Sequence, residues 1–419
     1  MNNIKVLPET IPNWINGKEY LACSGDSFDN ISPHNGSSIC KVAKSNLEDV
    51  DKAVKAAQKA QQEWENTPAV QRGHLLHQIC NALEESQDEI ARIVALETGK
   101  SYNEAKGETG GAIAVGRFFA GEGQRLYGRT TTSGVENKYA MTVRQPCGVA
   151  GLIIAANTPI ANVGWKVFPA LICGNGVVLK AAEDTPATAW IFSKIAHEAG
   201  LPPGVLNVIQ GLGLEAGAPL VEHPDVDVLS FTGSTAVGRW IAEVAGKRLT
   251  KVSLELGGKN PLVVCDDADL DNAVKWTCLS AFSNAGQRCA AGSRIIVFES
   301  VYEKFKTKLV EAIRILKIGP GNDDDLGAVI NERQLNNMIT SVTKARESGA
   351  DILCGGSRMI DSDHANGFYM EPTLIENVGV DDEISMCELF GPIAILYKTK
   401  DFDDALQMAN NSPYGLTSC

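Results

Sequence analysis

A cysteine stands in a run of small residues, Gly286-Gln287-Arg288-Cys289-Ala290-Ala291-Gly292-Ser293, in a loop expected between a helix and a strand. A cysteine becomes a nucleophile when it is accessible and its thiol is drawn towards the thiolate, and the adjacent Arg288 can supply positive potential for that. Arg288 hints at an anionic substrate, but a surface arginine that pairs with a neighbouring loop is the expected reading. Upstream, Leu254-Glu255-Leu256-Gly257-Gly258-Lys259 ends a strand with one acid among apolar residues. Burial of a carboxylate there raises its pKa towards that of a general base, and a salt bridge within the loop is the competing account.

A second chemistry is written into Phe231-Thr232-Gly233-Ser234-Thr235 with Gly238, at a strand-to-helix turn. Gly233 lets a ligand approach the backbone, and the helix N-terminus offers unpaired N–H groups to a phosphate. A plain strand-to-helix turn has the same look. Lys180 and Glu183 follow an earlier strand, Val177 to Lys180, and a donor beside a carboxylate suits the ribose hydroxyls of a nucleotide. The carboxylate repels a 2′-phosphate, so NAD fits better than NADP. Two other glycine motifs are weaker. Gly99-Lys100-Ser101 lacks the earlier glycine of a phosphate-binding loop and reads as a helix C-cap. Gly211-Leu212-Gly213 with Gly217 brings its third glycine one residue late for a dinucleotide fingerprint.

These residues need a scaffold. Ser45 with Glu48 predicts a capping box opening a helix, with Leu47, Val50, Val54 and Ala57 on one face. Further amphipathic helix is expected over roughly Gln71 to Thr98, closed by Gly99. From Thr142 onward the pattern turns to buried strands at Gly148 to Ala155, Val177 to Lys180, Val205 to Ile209 and Val226 to Phe231. Helices separate them, one opened by Thr185-Pro186 and stopped at Gly200-Leu201-Pro202-Pro203, another opening near Thr235. Such alternation predicts a parallel sheet wrapped by helices. A second set is expected from Lys251, with strands at Val252 to Leu256, Pro261 to Val264 and Ser293 to Phe298, and helices near Asp269 to Ala281 and Val301 to Leu316.

Composition narrows the class. The chain has 419 residues, 38 basic and 51 acidic, for a formal charge of −13. That length suggests two or three domains, and no Lys/Arg-rich run points to nucleic acid or an anionic membrane. The longest apolar run, Cys147 to Ala156, is about ten residues against the ~20 that a membrane-spanning helix needs. Met1 to Glu9 has no apolar core of signal-peptide type, so a cytoplasmic protein is expected. The eleven cysteines contain no Cys-x-x-Cys pair. The six histidines show no ligand cluster, His74 and His77 reading as helix-surface or packing residues, and no metal is expected.

Taken together, the motifs Asn157-Thr158-Pro159, Leu179 to Pro186, Phe231 to Ser234, Leu254 to Lys259, Gly286 to Arg294 and Glu388-Leu389-Phe390-Gly391-Pro392 stand in an order that resembles the NAD(P)-dependent aldehyde dehydrogenase superfamily. The resemblance runs from Trp14 to the last residue. It implies an α/β fold with a Rossmann-like dinucleotide-binding domain (1–127 and 147–257), an oligomerisation segment (128–146) and a second α/β catalytic domain (258–419). It implies Cys289 as nucleophile, the Asn157 amide and the Cys289 N–H for the oxyanion, Glu255 to activate water, and Lys166 to relay the proton outward. Lys180 and Glu183 would meet the adenosine ribose of NAD, Gly233 and Ser234 the pyrophosphate, Glu388 the nicotinamide ribose and Phe390 the nicotinamide ring. The product would be a carboxylic acid and the assembly a homodimer or homotetramer. Coenzyme A-acylating chemistry is an alternative, which the presence of Glu255 disfavours. Ala155-Ala156 before Asn157 and Thr158 after it replace bulkier family residues, so a larger or more polar aldehyde, sugar-derived or hydroxylated, is expected. The stretch Ala409 to Cys419 matches a family segment that normally runs on into a further strand. The resemblance therefore implies a C-terminally incomplete catalytic and oligomerisation part, and a catalytically silent, nucleotide-binding remnant is the other alternative.

Overall fold

A computed structural model describes residues 7–419; part of the Met1 to Glu9 stretch read above lies outside it. The chain divides into two compact units. One holds residues 7–30, 38–94 and 105–255, the other 31–37, 95–104 and 256–419. The short segments 31–37 and 95–104 thus fold with the second unit, although their place in the chain puts them in the first.

The first unit is built on a seven-stranded sheet. Its order is Lys251–Glu255, Val228–Thr232, Val149–Ile153, Gly176–Lys180, Leu206–Ile209, Asn13–Ile15, Lys18–Tyr20. The first five run parallel and the last two add antiparallel. Gly176–Lys180 is buried along its whole length, as a strand covered by helices on both faces must be. From Val149–Ile153 the chain steps outward through Gly176–Lys180 to Leu206–Ile209, then returns to the other side at Val228–Thr232. The order therefore reverses beside Val149–Ile153, and in an open α/β sheet the loops leaving the carboxyl ends at such a reversal are where a ligand binds. Those loops carry Asn157 and Gly233.

The helix Leu47–Trp64 is capped one residue later than expected. Asn46 accepts from Glu48 N–H at 2.9 Å while Asp49 reaches back to Asn46 N–H, and Ser45 is buried with its hydroxyl donating to Asn13 Oδ1 at 2.9 Å. The shift turns Leu47 outward, to 62% exposure, and the inner face is Val50, Ala53, Val54, Ala57 and Trp64. The helix expected over 71–98 is two, Ala69–Glu85 and Gln87–Thr98, because Ser86 leaves helical geometry at φ −97, ψ 8. Gly99 does close the second one, at φ +78. Thr185 precedes Pro186, the first residue of the helix Pro186–Glu198, as expected. Residues 128–146 carry a small hairpin, Thr130–Thr132 with Tyr139–Met141, exposed throughout.

The second unit has a five-stranded sheet ordered Asn260–Val264, Gly292–Phe298, Ile393–Thr399, Thr373–Glu376, Asp351–Cys354. Alternation along each strand feeds two cores. Ile295, Val297 and Leu396 pack with Phe305 and Leu309 on one face; Ile296, Ile395 and Tyr397 pack with Met338 and Phe368 on the other. Each fully buried side chain of this size contributes roughly 1.5–3 kcal/mol. The strand Lys251–Glu255, expected to open this second set, instead edges the first sheet, pairing with Val228–Thr232.

Candidate active site

In the first unit the turn after Val228–Thr232 leads into the helix Thr235–Lys247, with Ser234 as N-cap accepting from Val237 N–H at 3.4 Å. A Cβ on Gly233 would strike the Phe231 ring, so the glycine keeps this cradle open. Thr235 Oγ1 is buried there without a hydrogen-bond partner, an orphaned donor at a helix N-terminus. Lys180 ends its strand 4% exposed, and burial lowers its pKa to about 8 against the pull of Glu183 and Asp184. Glu183 accepts from Gly213 N–H at 3.1 Å, so the imperfect glycine motif after Leu206–Ile209 has the job of orienting that carboxylate. A buried donor, an oriented carboxylate acceptor and an open helix N-terminus are the groups that a ribose and a pyrophosphate require.

Lys166 lies on the helix Pro159–Ile172, which Thr158-Pro159 opens directly after Asn157. Its ammonium donates to Ser230 Oγ at 2.7 Å, and burial lowers its pKa to about 8 although Glu255 raises it. Asn157 is half-buried in the loop that ends Val149–Ile153. Glu255 departs from expectation. It is exposed, at the end of a strand that forms the outer edge of the sheet.

In the second unit Cys289 follows a reversal with three consecutive positive φ angles, Asn284 at 53, Ala285 at 52 and Gly286 at 67. For non-glycine residues this conformation costs roughly 1–2 kcal/mol each, so other contacts must hold it. Glu104 Oε1 accepts from Asn284 N–H at 2.8 Å. Gln287, buried, accepts from Ile330 N–H at 2.9 Å through its side-chain oxygen. Beyond the reversal, Asn260 Nδ2 donates to the carbonyls of Cys289 at 2.7 Å and Ala291 at 2.9 Å. Cys289 itself is half-buried. Arg288 donates to Ser283 Oγ at 2.7 Å, within its own loop. A Cβ on Gly286 would run into the backbone of Gly391, which ties this loop to the Glu388–Pro392 turn.

Glu388 and Phe390 lie on that turn, Phe390 at φ 53. Glu388 Oε1 accepts from Gly258 N–H at 3.2 Å, and a Cβ on Gly257 would meet the same carboxylate. Burial raises the Glu388 pKa, with the Gly258 N–H and Lys259 opposing it. A cavity of about 20 Å³ lies among Gly258, Lys259, Gly286, Arg288, Glu388 and Phe390. Glu104, Gln287 and Asn260 are the residues of this loop system that sequence reading did not single out. Only Glu104 left a trace, as the last member of Ser101-Tyr102-Asn103-Glu104, a capping-box pattern.

Lys259 is 2% exposed, and burial with Arg294 nearby lowers its pKa to about 7, Cys387 and Glu388 pulling the other way. Unfolding returns it to the ordinary 10.5. Between those values the unfolded chain holds the extra proton, so stability rises with pH across the window. We expect wild type to gain up to about 2 kcal/mol from about pH 7 to about pH 9 relative to Lys259→Met. Denaturant unfolding checks it, and parallel pH slopes for the two proteins would refute it.

The aldehyde dehydrogenase family model matches residues 20–419. The chain belongs to the aldehyde dehydrogenase family. This dehydrogenase is 40% identical over 412 residues to the mitochondrial benzaldehyde dehydrogenase of Antirrhinum majus, covering 96% of this chain and 76% of that protein. It is 38% identical over 412 residues to the alpha-ketoglutaric semialdehyde dehydrogenase of Bacillus subtilis, covering 98% and 84%. The crystal structure of betaine aldehyde dehydrogenase from Staphylococcus aureus in complex with NAD+ superposes with a TM-score of 0.96 at 33% identity, over 97% of this chain and 82% of that one. The protein is an oxidoreductase that acts on aldehydes, with the α/β fold expected of the family. Among the described residues no helix is long and apolar enough to cross a membrane.

Proposed function

We infer that this dehydrogenase oxidises an aldehyde to the carboxylic acid with NAD as acceptor, through a covalent bond from Cys289 to the carbonyl carbon. The observation that carries this reading is the loop of Cys289: a half-buried cysteine whose backbone is pinned on both sides, by Asn260 at its own carbonyl and by Gln287 and Glu104 before it. Such fixing in advance is what a nucleophile and an oxyanion donor need.

The Cys289 sulfur adds to the carbonyl carbon, and the oxygen takes the negative charge. The side-chain amide of Asn157 and the Cys289 N–H stabilise that oxyanion. NAD, when bound, would supply the two-electron acceptor that oxidation of the Cys289-bound carbonyl carbon to a thioester requires. Lys180 and Glu183 hold its adenosine ribose, Gly233 and Ser234 its pyrophosphate, and Glu388 and Phe390 its nicotinamide half. Glu255 then takes a proton from water, the hydroxyl attacks the thioester carbon, and the acid leaves with Cys289 returned as thiolate. Lys166, with a pKa of about 8 and a hydrogen bond to Ser230, is suited to pass that proton on near neutral pH. Residues 1–127 and 147–257 form the nucleotide-binding part and 258–419 the catalytic part in this reading. The comparisons do not favour a coenzyme A-acylating or a silent protein.

We also place the enzyme in the cytoplasm, as a homodimer or homotetramer joined through residues 128–146. Tyr139, Met141 and Val143 there are 86%, 67% and 70% exposed, apolar surface that a partner would cover. The test is a steady-state assay with both nucleotides on the enzyme at its assembled size. NAD should give the higher kcat/KM, and Glu183→Gln should narrow the gap by about tenfold as repulsion of the 2′-phosphate is lost. NADP preferred by wild type would refute the role of Glu183, and a purely monomeric sedimentation profile would refute the assembly.

A further inference from the structure

Glu104 lies far from the motifs that define the site, on a segment that folds with the second unit, residues 95–104. It opens the helix Tyr102–Glu122, where its N–H donates to Ser101 Oγ at 3.3 Å and its carboxylate accepts the Ser101 N–H. A capping box needs no more than that. The same carboxylate does something else. Oε1 accepts from Asn284 N–H at 2.8 Å, across 180 residues of sequence, at the first of three successive left-handed residues. Oε2 is buried with no hydrogen-bond partner, and burial raises the carboxyl pKa against the N–H groups and the positive charges of Lys100 and Arg288. Keeping a carboxylate in so poor a solvation state is more costly than a capping box by itself requires.

The reversal it grips sets the nucleophile. The helix Leu270–Phe282 ends immediately before it, and Cys289 follows by way of Gln287 and Arg288. Ala285 is buried at φ 52, ψ 36, where an L side chain is strained and only external contacts stop the peptide from relaxing. We propose that Glu104 is a positioning residue for the aldehyde dehydrogenase reaction: by accepting the Asn284 N–H it locks the left-handed Asn284–Ala285 reversal and thereby aims Cys289. The proposal rests on Cys289 being the nucleophile. Glu104 touches neither substrate nor cofactor in it.

Four variants of the full chain test it: Glu104→Ala, Glu104→Asp, Glu104→Gln, and the pair Glu104→Ala with Ala285→Gly. Three readouts are taken: kcat and KM for an aldehyde, the rate of Cys289 alkylation by iodoacetamide followed by peptide mass, and the melting temperature. Glu104→Ala should lower kcat and the alkylation rate together by about tenfold or more, with KM little changed, because a misaimed thiol is slow towards any electrophile. Aspartate keeps charge and capping but falls short of Asn284, so it should show the same loss in a folded protein. Glutamine retains the acceptor and should stay within about threefold of wild type on both. Adding Ala285→Gly removes the strain that Glu104 holds, and should restore much of both rates. A cap that only steadies the helix would shift the melting temperature and leave alkylation unchanged. The proposal is overturned if the aspartate or alanine variant, folded, alkylates Cys289 within twofold of wild type, or if glycine at 285 rescues nothing. If wild-type turnover does not depend on Cys289, the reading in the previous subsection fails; if it does and Glu104 variants are unaffected, only this proposal fails.

Discussion

Cys289→Ala should lower kcat for aldehyde oxidation by at least about 10³-fold, about 4 kcal/mol of transition-state stabilisation, while NAD still binds. The reason is the order of events. Without the sulfur no covalent adduct forms, and an unactivated aldehyde is a poor donor to the nucleotide. Alanine occupies less space than cysteine at a half-buried position, so the fold should be unaffected. Nucleotide production measured over a panel of aldehydes, with nucleotide binding measured by calorimetry on the same sample, separates a chemical defect from a binding one. Turnover within tenfold of wild type would remove Cys289 from the mechanism.

Glu255→Gln should leave the first half of the reaction and stop the second. Acyl transfer to Cys289 and nucleotide reduction need no base at 255, whereas hydrolysis of the thioester does. A rapid stoichiometric burst of reduced nucleotide should therefore survive, followed by a steady rate lower by about 10²–10⁴-fold, the usual worth of a general base. Loss of the burst along with the steady rate would assign Glu255 to the first half-reaction instead. An unchanged steady rate would exclude it altogether.

Much of this scaffold is legible along the chain, and for local reasons. Thr158-Pro159 and Thr185-Pro186 open helices because proline's missing N–H and fixed φ suit a first helical position. Gly99 ends a helix because its φ of +78 suits a residue without a side chain. The run Gly176–Lys180 is apolar without alternation because both faces of that strand are covered. Reading failed where a choice between adjacent residues is decided by contacts elsewhere. Ser45 and Asn46 are both good caps, and Ser45 loses the place because Asn13, from another strand, takes its hydroxyl. The apolar neighbours of Glu255 suggest burial, yet a strand's burial depends on its position in the sheet, and this one is outermost.

What the residues alone determined is the chemistry available: a cysteine in a small-residue loop, a strand-ending acid, a lysine and glutamate after a buried strand, a glycine before a helix, and through their order the family. Each is a short-range pattern, so each survives in a linear string. The tertiary structure decided how these groups are held. It placed the reversal of strand order between the loops of Asn157 and Gly233, turned Gly213 into a donor for Glu183, and set Glu104 and Asn260 against the backbone of the Cys289 loop. A hydrogen bond between positions 180 residues apart leaves no periodicity and no spacing rule to read. It exists only because packing brings the first turn of a helix and a loop within 2.8 Å, and packing is a property of the whole chain.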